Sequence, residues 1–304
     1  MASTHDSFPA RTVELEDGRR VAFEERGDRD GFPVLRFHGT PGSRWEQFPG
    51  EEATAGLGVR LITFDRPGYG RSDPRPDRTL LDVAGDAEQL ADALGVDAFA
   101  VTGMSGGAPF ALATAWSYPD RVTAAALTCG IGPLDRPGAL EGMHAPNARE
   151  FSCAAQEPER LENLLSDGSL AADLPAEEVR AFGEIDGLGE ALAPGLAEAA
   201  RQGWVGVLAD DLAFVRPWGF DLAAITVPVS LWHGDRDSLV PFHHAEHLAA
   251  QIPGATLHRC RGEGHLAMFG RQEEALASLL PRLIRGGCRQ VATGRSASRH
   301  SSMP

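Results

Sequence analysis

Three residues far apart in the chain, Ser105, Asp237 and His265, are of the types that together turn an alcohol into a nucleophile. A serine hydroxyl is unreactive near neutral pH unless a base lies within hydrogen-bond reach. Histidine is that base when a carboxylate fixes its tautomer and stabilises the imidazolium. Ser105 sits at the centre of Gly103-Met104-Ser105-Gly106-Gly107, a G-x-S-x-G. An apolar run at 99–102, with β-branched Val101 and Thr102, precedes it and reads as a buried strand. Residues 108–118 follow as a helix, with Pro109 in its first turn, where a missing N–H costs little. Taken alone, the motif also reads as a Gly-rich turn whose serine caps the helix. The strand-turn-helix context and the partners elsewhere favour a nucleophile.

Asp237 lies in the stretch 233–241, HGDRDSLVP, and His265 in 262–265, GEGH. The order Ser, acid, His is the one expected when each group follows a strand of one sheet. Asp235 competes for the acid role, but it is nearer the strand and suited to bonding the turn backbone; Asp237 is favoured. Acyl transfer places negative charge on the former carbonyl oxygen, and each preorganised N–H there is worth about 3–4 kcal/mol. The backbone of Met104 is one expected donor. Thr40 is the other, because Pro41 has no N–H and Gly39 permits close approach. His38 is expected to brace that loop.

Other candidates take plainer readings. The stretch 65–70, DRPGYG, lacks both G-x-G-x-x-G and a P-loop lysine, so it reads as a rigid turn beside the pocket. His243, His244 and His247 read as a solvated helix face in preference to a metal site. Trp204, Phe214, Trp218 and Phe220 either line an apolar pocket or, for most of them, pack an insertion on the sheet.

The elements that must position these residues alternate. Strands are expected at 12–15, 21–25, 33–37, 59–64, 99–102, 122–129, 227–232 and 256–260, the first two joined at Asp17-Gly18. Helices are expected at 44–55, 79–94, 108–118, 243–251 and 272–285. The rhythm predicts an α/β fold, a parallel sheet covered on both faces. It breaks between 131 and 218, where amphipathic pieces at 158–165, 176–182 and 188–202 predict a helical insertion folded over the sheet. The expected division is a core of 11–130 and 219–286, a helical cap of 131–218, and flexible termini at 1–10 and 287–304.

Composition narrows the partners. A net charge of −15 argues against nucleic acid or an anionic membrane surface. Cys129, Cys153, Cys260 and Cys288 form no C-x-x-C pair or disulfide framework, which fits a reducing compartment, and Cys129 and Cys260 read as small core residues. No apolar leader or spanning stretch occurs, so a cytoplasmic protein acting on a small molecule is expected.

The stretches HGTPGSR at 38–44, DRPGYGRSD at 65–73, GMSGG at 103–107, HGDRDSLVP at 233–241 and GEGH at 262–265 together resemble the α/β-hydrolase family. The resemblance spans residues 12–285. It implies a mostly parallel eight-stranded sheet flanked by helices and a helical cap. It also implies a triad of Ser105, His265 and Asp237, an oxyanion hole of the Thr40 and Met104 backbones, and no cofactor or metal. Ser105 departs from the epoxide hydrolases and dehalogenases, which carry Asp there. The implied activity is hydrolysis of a carboxylic ester or lactone. The alternatives are an aminopeptidase or amidase similar to proline iminopeptidases, with Glu157, Glu159 and Glu162 receiving an ammonium group, or a non-catalytic ligand-binding member.

Overall fold

The computed structural model describes residues 10–46, 48–168, 170 and 174–280. Most of the expected flexible termini, the last turns of the closing helix and Cys288 lie outside them. One sheet of eight strands runs through the molecule: β1 (Arg11–Glu14), β2 (Arg20–Gly27), β3 (Phe32–Phe37), β4 (Val59–Phe64), β5 (Phe99–Met104), β6 (Val122–Thr128), β7 (Val229–Gly234) and β8 (Thr256–Cys260). Their spatial order is β1-β2-β4-β3-β5-β6-β7-β8. β1 and β2 form the expected hairpin, with Gly18 at positive φ in its turn, and β2 meets β4 antiparallel. From β4 to β8 every pairing is parallel.

Side chains alternate across that sheet, as the strand period requires. Leu35, Phe37, Ile62, Phe64 and Val101 pack under α2 (Leu80–Ala93) and α3 (Ala108–Ser117). Val34, Val59, Leu61 and Ala100 face the other way, against α10 (Gln272–Leu279). α2 begins where its sequence says it should: Thr79 and Asp82 form a capping box, the hydroxyl accepting from the Asp82 N–H and the carboxylate from the Thr79 N–H.

One expected helix is shorter than its pattern. α1 covers only Glu51–Gly56, while residues 44–46 and 48–50 lie outside any helix. Phe48 precedes a proline and is biased away from helical dihedrals. Arg44 is instead drawn into ion pairs with Asp65 and Glu198, and Glu46 into one with Arg36.

Between β6 and β7 the described residues hold helices and no strand: α4 (Ala145–Gln156), α5 (Pro158–Ser166), α6 (Ala176–Glu184), α7 (Leu188–Ala199) and α8 (Val205–Val215). α8 carries no clear amphipathic signature. In α8 the reason is physical: Asp210 and Asp211 are fully buried, so polar residues occupy the inward face. The helical face at α9 (His243–Gln251) also differs from expectation. His244 is fully buried, and its Nδ1 accepts the Gly132 N–H at 3.1 Å. Burial, then the neighbouring charges of His243 and Arg136, drives its pKa down to about 3.

Candidate active site

Because β3, β5, β6, β7 and β8 are parallel neighbours, the loops at their carboxyl ends emerge along one edge of the sheet. Those loops carry Thr40, Ser105, Cys129, Asp237 and His265. The turn after β5 is as tight as its glycines imply. A Cβ on Gly103 would stand 2.6 Å from the Gly107 carbonyl oxygen, and one on Gly107 would stand 2.1 Å from that of Phe37. Ser105 sits in this corner at φ 53°, a conformation that costs a non-glycine residue about 1–2 kcal/mol and is found where function holds it.

His265 and Asp237 are brought together. Nδ1 of His265 donates to Oδ2 of Asp237 at 2.7 Å, and the other carboxylate oxygen accepts the Val240 N–H at 2.8 Å. His233 Nε2 stands 3.3 Å from the same Oδ2. Burial alone would raise the Asp237 pKa, but the His265 imidazole and the hydrogen bonds from His233 and His265 hold it well below the carboxylate range. Burial likewise pulls the His265 pKa down, and the Asp237 charge overcomes this and holds it up. The Nδ1 bond leaves Nε2 as the basic nitrogen.

Asp235 does what its position suggested. It accepts the Gly262 N–H at 2.7 Å and pairs with Arg259 at 3.0 Å, bracing the turn. Cys129 is buried, as expected of a core residue, but its Sγ also lies 3.7 Å from His265 Nε2. It occupies φ 42° at the end of β6, and burial pushes its thiol pKa up. With Asp237 and His265 it forms the one grouping among the described residues whose possible ligand atoms lie within 4.8 Å. Asp237 already accepts the His265 Nδ1–H there.

The loop after β3 is fixed from two sides. His38 Nδ1 donates to the Gly39 carbonyl at 2.7 Å and Nε2 accepts the Arg66 N–H at 3.1 Å, so the ring braces the loop as expected. Burial and then the Arg66 charge hold it neutral. The guanidinium of Arg66, fully buried, donates to the His38 and Gly39 carbonyls and to the Thr40 hydroxyl. Asp210 on α8 collects the rest: it accepts from Thr40 Oγ1 at 2.7 Å, Arg66 at 2.5 Å, Tyr69 OH at 2.8 Å and Arg78 at 2.5 Å. Burial opposes its charge, and Arg66 and Arg78 nonetheless bring its pKa down to about 2. Sequence reading placed Arg66 in a rigid turn but missed Asp210, whose partners lie more than 130 positions away.

Met104 is still a strand residue, extended and in register with Thr128. Gly106 belongs to the short 3-10 turn Ser105–Gly107 that leads into α3, where first-turn N–H groups have no partner within the helix. A Cβ on Gly106 would lie 2.3 Å from Thr40 Oγ1, so the two loops meet here.

Ser105, His265, Thr40, Met104 and Gly106 all line one cavity of about 340 Å³. Its wall is otherwise largely hydrocarbon, including Phe151, Phe214 and Leu192 from the insertion and Phe269. Phe214 is the one expected aromatic that reaches it. Trp218 and Phe220 instead pack together, ring centroids 5.7 Å apart, and Trp204 is exposed. The polar side chains on the wall besides Ser105 and His265 are Thr40, Ser43, Glu46 and Asn147. Ser43 donates to the Gly195 carbonyl at 2.9 Å, and Glu46 accepts from Arg36 and from the Gly39 N–H at 2.9 Å. The Asn147 amide makes no hydrogen bond to any described residue. Glu157, Glu159 and Glu162 are not on the cavity wall; Glu157 pairs with Arg160 at the surface.

The α/β hydrolase fold family model matches residues 33–150. An uncharacterized hydrolase of Bacillus subtilis is 25% identical over 276 residues, 87% of this chain and 94% of that one. The proline iminopeptidase of Xylella fastidiosa is 34% identical over 116 residues, 36% of each chain. Among solved structures, an α/β hydrolase fold protein from Nakamurella multipartita superposes with a TM-score of 0.64 at 27% identity, covering 92% of this chain and all of that one. The fold is the α/β hydrolase fold. The matched relatives include hydrolases. No helix among the described residues is long and apolar enough to cross a membrane.

Proposed function

We propose that the protein is a serine hydrolase cleaving a carboxylic ester or lactone of a small, uncharged, largely apolar molecule. The observation that carries this reading is the 2.7 Å Asp237–His265 pair, whose imidazole lines the same apolar cavity as a serine held at φ 53° in a glycine-packed strand-to-helix turn. Ser105 Oγ attacks the acyl carbon as its proton passes to His265 Nε2. The tetrahedral oxyanion is held by backbone amides, and His265 returns the proton to the departing alkoxide as the acyl–oxygen bond breaks. Water, deprotonated by the same imidazole, then attacks the acyl-enzyme and releases the acid and Ser105. Asp237 keeps the Nδ1–H tautomer and offsets the imidazolium charge. For the oxyanion donors, Thr40 retains its expected role. Gly106 replaces Met104, because the amide heading a helical turn is free while a strand residue's peptide belongs to the ladder.

Residues 131–218 serve in this reading as the cap that sets the substrate. The only carboxylate on the cavity wall among the described residues, Glu46, is neutralised by Arg36. That supports a neutral substrate over the ammonium that an aminopeptidase must hold. The uncommitted amide of Asn147 fits a substrate bearing one neutral polar group on a hydrocarbon frame. Unpaired Cys129, Cys153 and Cys260 are in keeping with a cytoplasmic setting.

The test is a panel of short-chain p-nitrophenyl esters, lactones and prolyl-naphthylamide, with Ser105→Ala as control. Ester turnover that disappears in the variant supports the reading. Preferential cleavage of the prolyl amide supports the peptidase similarity, and failure of a fluorophosphonate probe to label Ser105 supports a non-catalytic member.

A further inference from the structure

The carboxylate of Glu178, on α6 of the insertion, is fully buried and ends on the backbone of the proposed base. Oε1 accepts the His265 N–H at 2.8 Å, and Oε2 accepts the Leu266 N–H at 2.6 Å. These two amides open the 3-10 helix Leu266–Arg271 and, as first-turn donors, have no partner within it. Helices normally receive such a cap from a side chain just before them. Here the residue before His265 is Gly264, which has no side chain to give. Its bare Cα is also what admits the cap from outside, since a Cβ on Gly264 would lie 2.6 Å from Glu178 Oε1. The gap in the loop and the reach of the insertion are complementary.

We propose that Glu178 is a positioning residue for the hydrolytic reaction: it clamps the backbone on both sides of the His265 side chain, so that the imidazole presents Nε2 to Ser105 while Nδ1 stays on Asp237. This rests on the serine-hydrolase reading for its kinetic consequence, but not for its structural one. A charge-assisted bond to each of two consecutive amides fixes the peptide planes from which the ring hangs. Catalytic geometry is sensitive at this scale, since a displacement of about 1 Å costs about 10²-fold in rate. The carboxylate is held on the main chain of the residue whose side chain would become the imidazolium. A neighbouring tie shows the contrast. Arg180, on the same helix, donates to the Gly262 carbonyl at 2.8 Å from an exposed position and touches nothing attached to His265.

The decisive variants are Glu178→Gln, Glu178→Asp and Arg180→Ala in the full chain. Gln keeps the volume and one acceptor oxygen but turns an NH2 group toward one of the two backbone donors. Glu178→Gln is expected to lower kcat for the best test ester about 10–100-fold with KM within about 2-fold, and to move the acidic limb of the rate profile to lower pH. Its downfield Nδ1 proton resonance, the NMR signature of the His265–Asp237 bond, is expected to shift or broaden. Glu178→Asp, which retains the charge, should recover part of the rate and the resonance. Arg180→Ala should leave both as in the parent. A folded Glu178→Gln whose kcat, pH limb and resonance match the parent overturns the proposal, as does an equal loss in Arg180→Ala, which would make the effect one of insertion docking. Were the parent to cleave no acyl substrate, the function would be wrong, yet the resonance would still judge the clamp.

Discussion

The sheet with its carboxyl-end loops and the helical insertion between β6 and β7 both contribute to the site, by different means. The loops bring the groups of the proposed triad at tight turns, where glycine, proline and short polar residues are required: Ser105 between close-packed glycines, Asp237 after β7, His265 after β8. The insertion brings the apolar wall and, beneath it, buried carboxylates that bind the loops. Asp210 ties down the loop of Thr40, Glu178 that of His265, and Glu198 pairs with Arg44. In the proposed reaction the core places the chemistry, and its precision is shared with the insertion.

Variants in the two regions break this contrast in graded ways. The largest effect is expected from the core. Asp237→Asn reverses the tautomer preference of His265 and should reduce kcat about 10⁴-fold. Because Asp237 holds the His265 pKa up, and the imidazole acts as base only when neutral, the residual activity should set in at lower pH than in the parent. A rate-pH profile that keeps its acidic limb would show that another group controls it.

Asp210→Asn on the insertion comes next. It leaves Arg66 and Arg78 short of their buried counter-charge, for which removal of one partner costs about 3–5 kcal/mol. It also frees the Thr40 hydroxyl, so kcat should fall with the folded protein still present. Loss of stability without loss of kcat in the folded fraction would confine Asp210 to a packing role.

A smaller effect concerns pH and stability. With a native pKa of about 2 against 3.8 for the unconstrained group, Asp210 contributes about 2 kcal/mol that is complete above pH 3.8 and lost as pH falls toward 2. Urea unfolding of parent and Asp210→Asn should therefore converge in acid. The smallest effect tests substrate choice. Asn147→Leu should lower kcat/KM about 3–10-fold for an ester with a distal hydroxyl or amide, as one neutral hydrogen bond warrants, and spare its alkyl analogue. Equal loss for both would remove Asn147 from recognition.

The two regions were also unequally legible in the sequence. Eight strands and the positions of Ser105, Asp237 and His265 followed from periodicity and turn residues, since those signals are local. The support for them is not local. Asp210 reads as one acid in a weakly patterned helix, and only the fold reveals that two arginines, a tyrosine and a threonine surround it. Glu178 looks like the solvated face of α6 until Gly264 is seen to leave room for it. Cys129 passed as core filling because nothing in its neighbourhood along the chain points to His265. The end of β5 shows a different limit. The strand runs to Met104, two residues past the expected 102, and sequence patterns do not resolve element boundaries that finely.

The bare Cα of Gly264 bears on any attempt to graft the cover of one such enzyme onto the sheet of another. A transplanted segment lacking an acid at the depth of Glu178 would leave two amides at the root of the histidine without an acceptor. A recipient with any side chain at that glycine would collide with the acid instead. Donor and recipient must therefore be matched at this pair before the walls of the cavity are chosen.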